Sequence, residues 1–170
     1  MKQIISAGAV IFRRDHEGAV KFLLLYHGRN YWNFPKGKLE QRERAVNAFL
    51  REVEEETGLR HQDLRILPGF RTSERFTFVD RYPTHPESKA SGGARPKVFK
   101  IVLYYLVESR KREVVISEEH EGFGWFSYSE AMHTAKYRNT KEILKRAHEF
   151  IQRHLRRHEK HPSRPGRHVR

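Results

Sequence analysis

The stretch that decides the fold of this 170-residue chain runs from residue 37 to residue 59 and reads GKLEQRERAVNAFLREVEEETGL. Residues 43–57 contain no Gly or Pro, and Gly58 follows where a helix commonly ends on a left-handed residue. The spacing predicts a helix over 43–57. Its buried face is expected to carry three apolar residues, Val46, Leu50 and Val53.

The same predicted helix concentrates carboxylates. Glu52, Glu55 and Glu56 share one face, because side chains three and four residues apart are neighbours on a helix. Such like-charge pairs each cost about 0.2–0.5 kcal/mol, so a compensating partner is expected. Mg²⁺ prefers carboxylate oxygens, with water and phosphate oxygens completing its octahedron. Taken alone, residues 54–56 are more typical of a solvated acidic face of a helix.

The surrounding spacing completes a longer motif. It comprises Gly37, Glu43, Arg51-Glu52-Val53, Glu55-Glu56 and Gly58-Leu59. At every position this resembles the Nudix box, G-x5-E-x7-R-E-U-x-E-E-x-G-U with U aliphatic, a match expected by chance on the order of once in 10⁷ starts. Resemblance to Nudix hydrolases implies an α+β fold, an α/β/α sandwich with a mixed sheet and a loop–helix–loop. It also implies an enzyme that hydrolyses phosphoanhydrides with a divalent metal ion.

The resemblance implies a role for each residue of the box. The metal ion, Mg²⁺ with Mn²⁺ as a substitute, would be bound by the Gly37 carbonyl and by the carboxylates of Glu52, Glu55 and Glu56. Arg51 would orient these carboxylates, as a guanidinium can through bidentate hydrogen bonds. Glu43 would support the loop in the same charge network.

In Nudix hydrolases the base that activates water is either a glutamate of the box or one in a later loop. Residues 117–121 read SEEHE, so Glu118, Glu119 and Glu121 are candidates, and an acidic surface turn is the alternative. We assign Glu119 to the catalytic set together with Arg51, Glu52 and Glu55.

Other segments resemble the asymmetric diadenosine tetraphosphate hydrolases of the Nudix family. They are residues 7–14, 22–25, 32–40, 100–106, 117–121 and 125–126. The resemblance implies hydrolysis of diadenosine tetraphosphate to ATP and AMP. Two departures affect the substrate groove: those enzymes commonly have His-Glu-His where this chain has Glu118-Glu119-His120, and residues 82–96 form a longer insertion loop than expected.

Residues near the box are expected to bind the substrate. Lys36 and Lys100 would neutralise phosphates as point charges. Tyr104, or else Phe76 or Phe78, would stack on adenine, although aromatic residues at strand spacing are often core. Two further residues complete the set: Trp32 would shape the pocket, and His120 would contact a phosphate or position the base, unless it is merely exposed.

Residues 1–150 are expected to form one domain, and residues 151–170 the end of a helix and a mobile basic tail. Strands are predicted over 4–13, 20–26, 64–70, 75–79, 98–107 and 123–126. A capping box at Ser127 and Glu130 predicts a short helix, and Thr140 is expected to cap a longer one.

The composition bounds the remaining possibilities. The chain has no cysteine, which excludes disulfides and thiolate metal sites and favours the cytoplasm, and its apolar runs are too short to span a membrane. Its net charge of +13 favours polyanionic partners, a nucleoside polyphosphate or RNA. RNA 5′-pyrophosphohydrolase, nucleoside triphosphate or diphosphoinositol phosphate pyrophosphatase, and a non-catalytic nucleotide- or RNA-binding module remain alternatives. A monomer is expected.

Overall fold

The computed structural model describes residues 2–79 and 97–160, with side chains up to residue 157. Eight strands and three helices follow one another as β1 (Lys2–Arg14), β2 (Val20–Tyr26), β3 (Trp32–Asn33), β4 (Lys36–Lys38), α1 (Ala45–Thr57), β5 (Leu64–Ile66), β6 (Thr72–Val79), β7 (Lys97–Ser109), β8 (Gly122–Phe126), α2 (Tyr128–Thr134) and α3 (Arg138–Lys160). A single 3₁₀ turn, His61–Asp63, joins α1 to β5.

The strands form one mixed sheet whose centre is a long parallel pair. β1 and β7 pair in parallel from Lys2 opposite Val98 to Phe12 opposite Glu108. The remaining pairings are antiparallel: β2 with β1, β3 and β8, β4 with β1, and β5 and β6 with β7. Central strands covered on both faces are near-continuously apolar, which is the pattern of β1 over residues 7–12.

Helices cover both faces of the sheet. Successive side chains of a strand point to opposite faces, and β1 accordingly sends Ala9 and Ile11 to the face of α1 and Val10 and Phe12 to the face of α2 and α3. Each face carries its own buried apolar cluster. This arrangement confirms the predicted α+β sandwich with a mixed sheet.

Most predicted elements are present. The strands β1, β6, β7 and β8 extend one to three residues beyond a predicted bound, and three other elements differ at an end. α1 begins at Ala45 and not at residue 43. The strand predicted over 64–70 ends at Ile66, because Pro68 and Gly69 follow and Gly69 has a φ of 85°. Thr140 does not cap α3, which already begins at Arg138.

Two predicted segments lie outside the described residues, namely the insertion loop at 82–96 and positions 161–170 of the basic tail. In the described part of the chain, none of the helices is both long and apolar enough to cross a membrane.

Candidate active site

The loop that precedes α1 is fixed to the centre of the sheet. β4 pairs with β1, and Gly37 lies opposite Ala7. At the other end of α1, Gly58 adopts a left-handed φ of 69° and donates its N–H to the Glu54 carbonyl at 2.8 Å. The predicted loop–helix–loop is therefore held at both ends, with α1 packed on the sheet between them.

Arg51 is the centre of an ionic network at the start of the loop. Its Nε and Nη2 donate to the two carboxylate oxygens of Glu43 at 3.0 and 2.9 Å. Its Nη1 donates to Glu52 at 2.8 Å and to Glu55 at 3.4 Å, and Nη2 also reaches the Lys38 carbonyl at 3.0 Å. The hydrogen bonds to Glu43 and Glu52 raise the pKa of Arg51. One guanidinium thus offsets the repulsion between clustered carboxylates.

Gly37 and Glu52 approach each other so closely that a side chain at position 37 would displace the Glu52 carboxylate. The three heavy atoms nearest to an added Cβ are all in the Glu52 carboxylate, and they would overlap it. The glycine therefore lets a carboxylate rest directly on the backbone of the loop. Burial raises the pKa of Glu52, and Arg51 opposes that shift.

Glu56 differs from the other two glutamates because it is buried. It is 8% exposed, and its Oε2 accepts the backbone N–H of Lys36 at 3.0 Å. Burial raises the pKa of Glu56 to about 7, and the charges of Glu52 and Glu119 add to the rise. By contrast, the Glu55 side chain is 59% exposed. The sequence placed all three on a face away from the core, but β4 covers α1 at Glu56.

The late loop brings His120 and Glu119 towards Glu56. The His120 side chain is fully buried, its Nδ1 lies 3.0 Å from Ser117 Oγ, and its Nε2 lies 3.9 Å from Glu56 Oε2. His120 is thus not the exposed loop histidine that the sequence left as an alternative. Its ring packs edge-on against His27 at 4.5 Å between centroids, a neighbour with no sequence signal. Burial lowers the pKa of both histidines, to about 4 for His27.

The three acidic candidates of the late loop are placed differently. Glu119 is exposed, and it lies close enough to Glu56 for its charge to raise the pKa of Glu56. Glu121 lies against Gly28, where an added Cβ would come within 2.5 Å of its Oε1. Glu118 is exposed and makes no described contact with the box.

Two lysines border the carboxylates. Lys36 and Lys100 are half-buried, and burial lowers the pKa of each. The charges of Glu56 and Glu74 oppose the lowering of the Lys36 pKa, whereas the charge of Lys38 adds to the lowering of the Lys100 pKa. Both ammonium groups therefore lie where a bound anion would favour their charged form.

A cavity of about 340 Å³, here called the aromatic pocket, opens beside Lys36. Its lining comprises Tyr31, Asn33, Lys36, Glu74, Phe76, Tyr137, Asn139 and Thr140. The rings of Tyr31 and Tyr137 meet edge-on at 5.4 Å between centroids. The sequence pointed to Lys36 and Phe76 but missed both tyrosines, since they come from distant loops and follow no shared pattern.

Two predicted substrate contacts occupy other places. Tyr104 is 1% exposed, packs on Phe34 and donates its hydroxyl to Glu74 at 2.8 Å, so its ring offers no face to a base. Burial also raises the pKa of Tyr104. Trp32 packs between Tyr26 and Phe126, with centroids at 4.8 and 5.3 Å. Trp32 does not line the aromatic pocket, so any influence on it acts through the neighbouring Tyr31 and Asn33.

The donors at the box suit a hard divalent cation. Carboxylates gather around a loop in which only glycine leaves room for Glu52. Within the described ranges 2–79 and 97–157, no three His, Asp or Glu side chains already form a cage for a metal ion. Arg51 instead engages Glu52 and Glu55 in ion pairs. The carboxylates of the box therefore fit a divalent metal ion in chemistry.

This fold and site define a Nudix hydrolase. The NUDIX domain profile matches residues 2–147, and the chain belongs to this family. It is accordingly an enzyme of the Nudix pyrophosphohydrolase class, as the sequence predicted.

Known relatives agree with that assignment. The asymmetrical bis(5′-nucleosyl)-tetraphosphatase of Mus musculus is 30% identical over 155 residues, covering 86% of this chain and 94% of the relative. An RNA pyrophosphohydrolase of Escherichia fergusonii is 30% identical over 123 residues, covering 72% and 68%. The fold is similar to that of a C. elegans Ap4A hydrolase in a binary complex, with a TM-score of 0.71, 24% identity and coverage of 88% and 98%.

Proposed function

We propose that the chain catalyses Mg²⁺-dependent hydrolysis of a phosphoanhydride bond in a dinucleoside polyphosphate, with diadenosine tetraphosphate giving ATP and AMP. One observation carries the proposal: Lys36 connects the carboxylates to a nucleoside-sized pocket. Its backbone N–H donates to Glu56 at 3.0 Å, and Lys36 also lines the aromatic pocket. The similarity to an asymmetrical bis(5′-nucleosyl)-tetraphosphatase supports the same substrate.

In this mechanism Gly37, Glu52, Glu55 and Glu56 hold the metal ion, which when bound neutralises phosphate charge and lowers the pKa of water. Arg51 keeps the carboxylates in position through its contacts with Glu52 and Glu55.

The remaining roles fall to residues around the carboxylates. Lys36 and Lys100 bind phosphate oxygens, and an adenine enters the aromatic pocket. Glu119 is the proposed base, because it is exposed and acts electrostatically on Glu56, whereas Glu121 lies against Gly28. Glu119 accepts a proton from the water that attacks phosphorus, while the anhydride P–O bond breaks and ATP and AMP leave. His120 positions the late loop beside Glu56.

The test is turnover of diadenosine tetraphosphate with and without Mg²⁺, with products separated by anion exchange. Glu56→Gln is expected to abolish turnover. Glu54→Gln, at an exposed residue on the same helix and at a variable position of the box, is the matched control and should retain full activity. Two ADP as product would contradict the asymmetric cleavage. Full activity of Glu56→Gln would refute the metal assignment.

A second candidate substrate is the 5′ end of triphosphorylated RNA, from which the enzyme would release pyrophosphate. Charge supports it, because α3 carries eight lysines and arginines against three glutamates. Neutralised backbone phosphates give RNA a salt-dependent affinity. Deleting residues 158–170 should weaken RNA binding and its salt dependence while leaving diadenosine tetraphosphate turnover unchanged. Unchanged RNA affinity would exclude a role for the tail.

A further inference from the structure

The connection between β2 and β3, residues 27–31 and here called the β2–β3 turn, adjoins two parts of the proposed site. At its end, Tyr31 lines the aromatic pocket. At its start the late loop is attached, because the Glu121 N–H donates to the carbonyl of Tyr26, immediately before the turn, at 2.8 Å. The turn therefore connects the proposed adenine pocket to the loop that carries the proposed base.

The turn has an unusual backbone conformation that its own hydrogen bonds hold. Gly28, Arg29 and Asn30 have φ values of 80°, 51° and 57°, in a left-handed region that a residue such as arginine rarely adopts. The His27 N–H donates to the Tyr31 carbonyl at 2.8 Å, and the Tyr31 N–H donates to the Gly28 carbonyl at 3.0 Å. Such conformations persist where the surroundings determine them, and they are common at functional sites. The turn thus fixes the spacing of His27 and Tyr31.

The ring of His27 contacts both parts of the proposed site. Its centroid lies 4.9 Å from that of Tyr31 and 4.5 Å from that of His120. Its Nε2 is buried and has no hydrogen-bond partner among the described residues. Burial lowers the pKa of His27 to about 4, so the ring is uncharged at neutral pH. His27 therefore holds its neighbours by packing and not by charge.

His120 depends on this contact for its position. Its side chain is fully buried, and its Nδ1 lies 3.0 Å from Ser117 Oγ. Ser117 belongs to the same loop, so this contact does not attach the loop to the rest of the protein. The His120 Nε2 lies 3.9 Å from Glu56, beyond hydrogen-bond distance. Among the described aromatic rings, His27 is the one that contacts His120 from outside the loop.

We infer that His27 is a positioning residue for the proposed reaction: its ring holds His120, and through His120 it fixes the late loop so that Glu119 faces the attacking water. The inference rests on the proposed function, in which Glu119 is the base. A base must lie within about 2.6–3.2 Å of the atom whose proton it takes, so a small shift of the loop removes most of its effect. Since the same ring contacts Tyr31, the base and the adenine pocket are positioned from one side chain.

Two variants of His27 test whether the ring itself is needed. His27→Ala removes the ring, so the late loop should lose its support. His27→Phe keeps a flat ring and removes only a nitrogen that has no partner, so the loop should stay in place.

His148→Ala is the matched control. His148 is also half-buried, its ring stacks on Tyr128 at 4.0 Å between centroids, and its buried Nδ1 has no hydrogen-bond partner among the described residues. It lies on α3, and none of its described ring contacts involves the late loop or the box. Loss of its ring therefore matches the loss of packing in His27→Ala without touching the site.

The first measurement is hydrogen–deuterium exchange of the late loop, which needs neither substrate nor metal ion. The N–H groups of His120 and Glu121 donate to the Ser117 and Tyr26 carbonyls, so their exchange reports whether the loop is held. Peptides that span residues 117–121 should exchange at least about tenfold faster in His27→Ala than in the wild-type protein. Exchange should be unchanged in His27→Phe and His148→Ala. Equal exchange in His27→Ala and the wild-type protein, or an equal acceleration in His148→Ala, would overturn the inference.

The second measurement is the kinetics of diadenosine tetraphosphate hydrolysis. In His27→Ala, kcat should fall by about 10–100-fold because the base is displaced. KM should change by less than about threefold, because Tyr31 keeps its contacts with Asn33 and Tyr137. His27→Phe should restore kcat, and His148→Ala should retain both constants.

A Glu119→Gln background separates positioning of the base from a general loss of structure. If His27 acts through Glu119, His27→Ala should lower kcat no further in this background, because residues that act as a unit are not additive. The same fractional loss of kcat with and without Glu119 would contradict the inference.

The exchange and kinetic measurements also separate this inference from the proposed function. If the wild-type protein does not hydrolyse diadenosine tetraphosphate while His27→Ala loosens the late loop, the proposed substrate fails and the positioning of the loop by His27 stands. If turnover occurs and requires Glu119, but His27→Ala changes neither exchange nor kcat, only the inference about His27 fails.

Discussion

The contact between Gly37 and Glu52 predicts a specific energetic coupling. In Gly37→Ala the new methyl group overlaps the Glu52 carboxylate, whereas real Cβ contacts essentially never fall below 3.0 Å. The carboxylate must therefore move by about 1 Å and loosen its hydrogen bond from Arg51, or the loop must shift, and either change costs about 1–3 kcal/mol of unfolding free energy. Since a displacement of about 1 Å at a catalytic group can cost a factor of about 100, kcat/KM should fall by about that factor.

Removing the partner should abolish the penalty. In a Glu52→Ala background the overlapping atoms are absent, and Gly37 has no positive φ that alanine would resist. Gly37→Ala should then be neutral or stabilise by about 0.4–1 kcal/mol, through reduced entropy of the unfolded chain. The double-mutant cycle should yield a coupling free energy of about 2–3 kcal/mol.

The cycle is measured by equilibrium urea unfolding, followed through the fluorescence of Trp32 and Trp125. Gly122→Ala is the control, because its added Cβ would meet Tyr26 at an ordinary 3.8 Å. That control should change the unfolding free energy by less than about 0.5 kcal/mol. An equal cost of Gly37→Ala with and without Glu52 would refute the close-contact explanation.

Three further predictions concern the charges and rings of the site. Burial raises the pKa of Glu56 to about 7, so above pH 4.5 the folded state holds more protons than the unfolded state. In EDTA, the unfolding free energy measured with urea should therefore fall by up to about 3 kcal/mol as the pH rises from 4.5 to 7. Glu56→Gln should flatten this pH dependence. Arg51→Lys keeps the charge but cannot hold Glu43 and Glu52 together, so kcat/KM should fall about 100-fold; near-normal kinetics would show that the network is dispensable. Tyr137→Ala opens the aromatic pocket, so KM for diadenosine tetraphosphate should rise about tenfold at constant kcat; a loss of kcat alone would contradict a binding role.

Local patterns account for what the sequence predicted well. β2 has the predicted bounds, and the capping box of Ser127 and Glu130 opens α2 with both reciprocal hydrogen bonds. The predicted ends of elements were less accurate where a side chain at the end binds a neighbouring group. Glu43 stays outside α1 because its carboxylate accepts the backbone N–H of Glu40 and binds Arg51.

The site was predictable only as far as it is contiguous in the chain. The box residues from Gly37 to Glu56 come together as their spacing indicated, and the pairing of Arg51 with Glu43, Glu52 and Glu55 follows from it. The aromatic pocket could not be predicted from the spacing, because Tyr31 and Tyr137 meet only through the tertiary fold. Burial of Tyr104 depends on Phe34 and Glu74, and strand alternation alone does not specify which face is covered.

The parallel pairing of β1 with β7 also governs how the chain reaches its fold. This register joins residues 2–12 to residues 98–108, so nearly a hundred residues must be synthesised before β1 acquires that neighbour. At about 5–20 residues per second, an apolar strand waits on the order of 5–20 s on the ribosome with one edge unpaired. Closure of so long a loop also raises the contact order, which slows folding. The strand at the centre of the finished sheet is thus the segment most in need of protection from aggregation during synthesis.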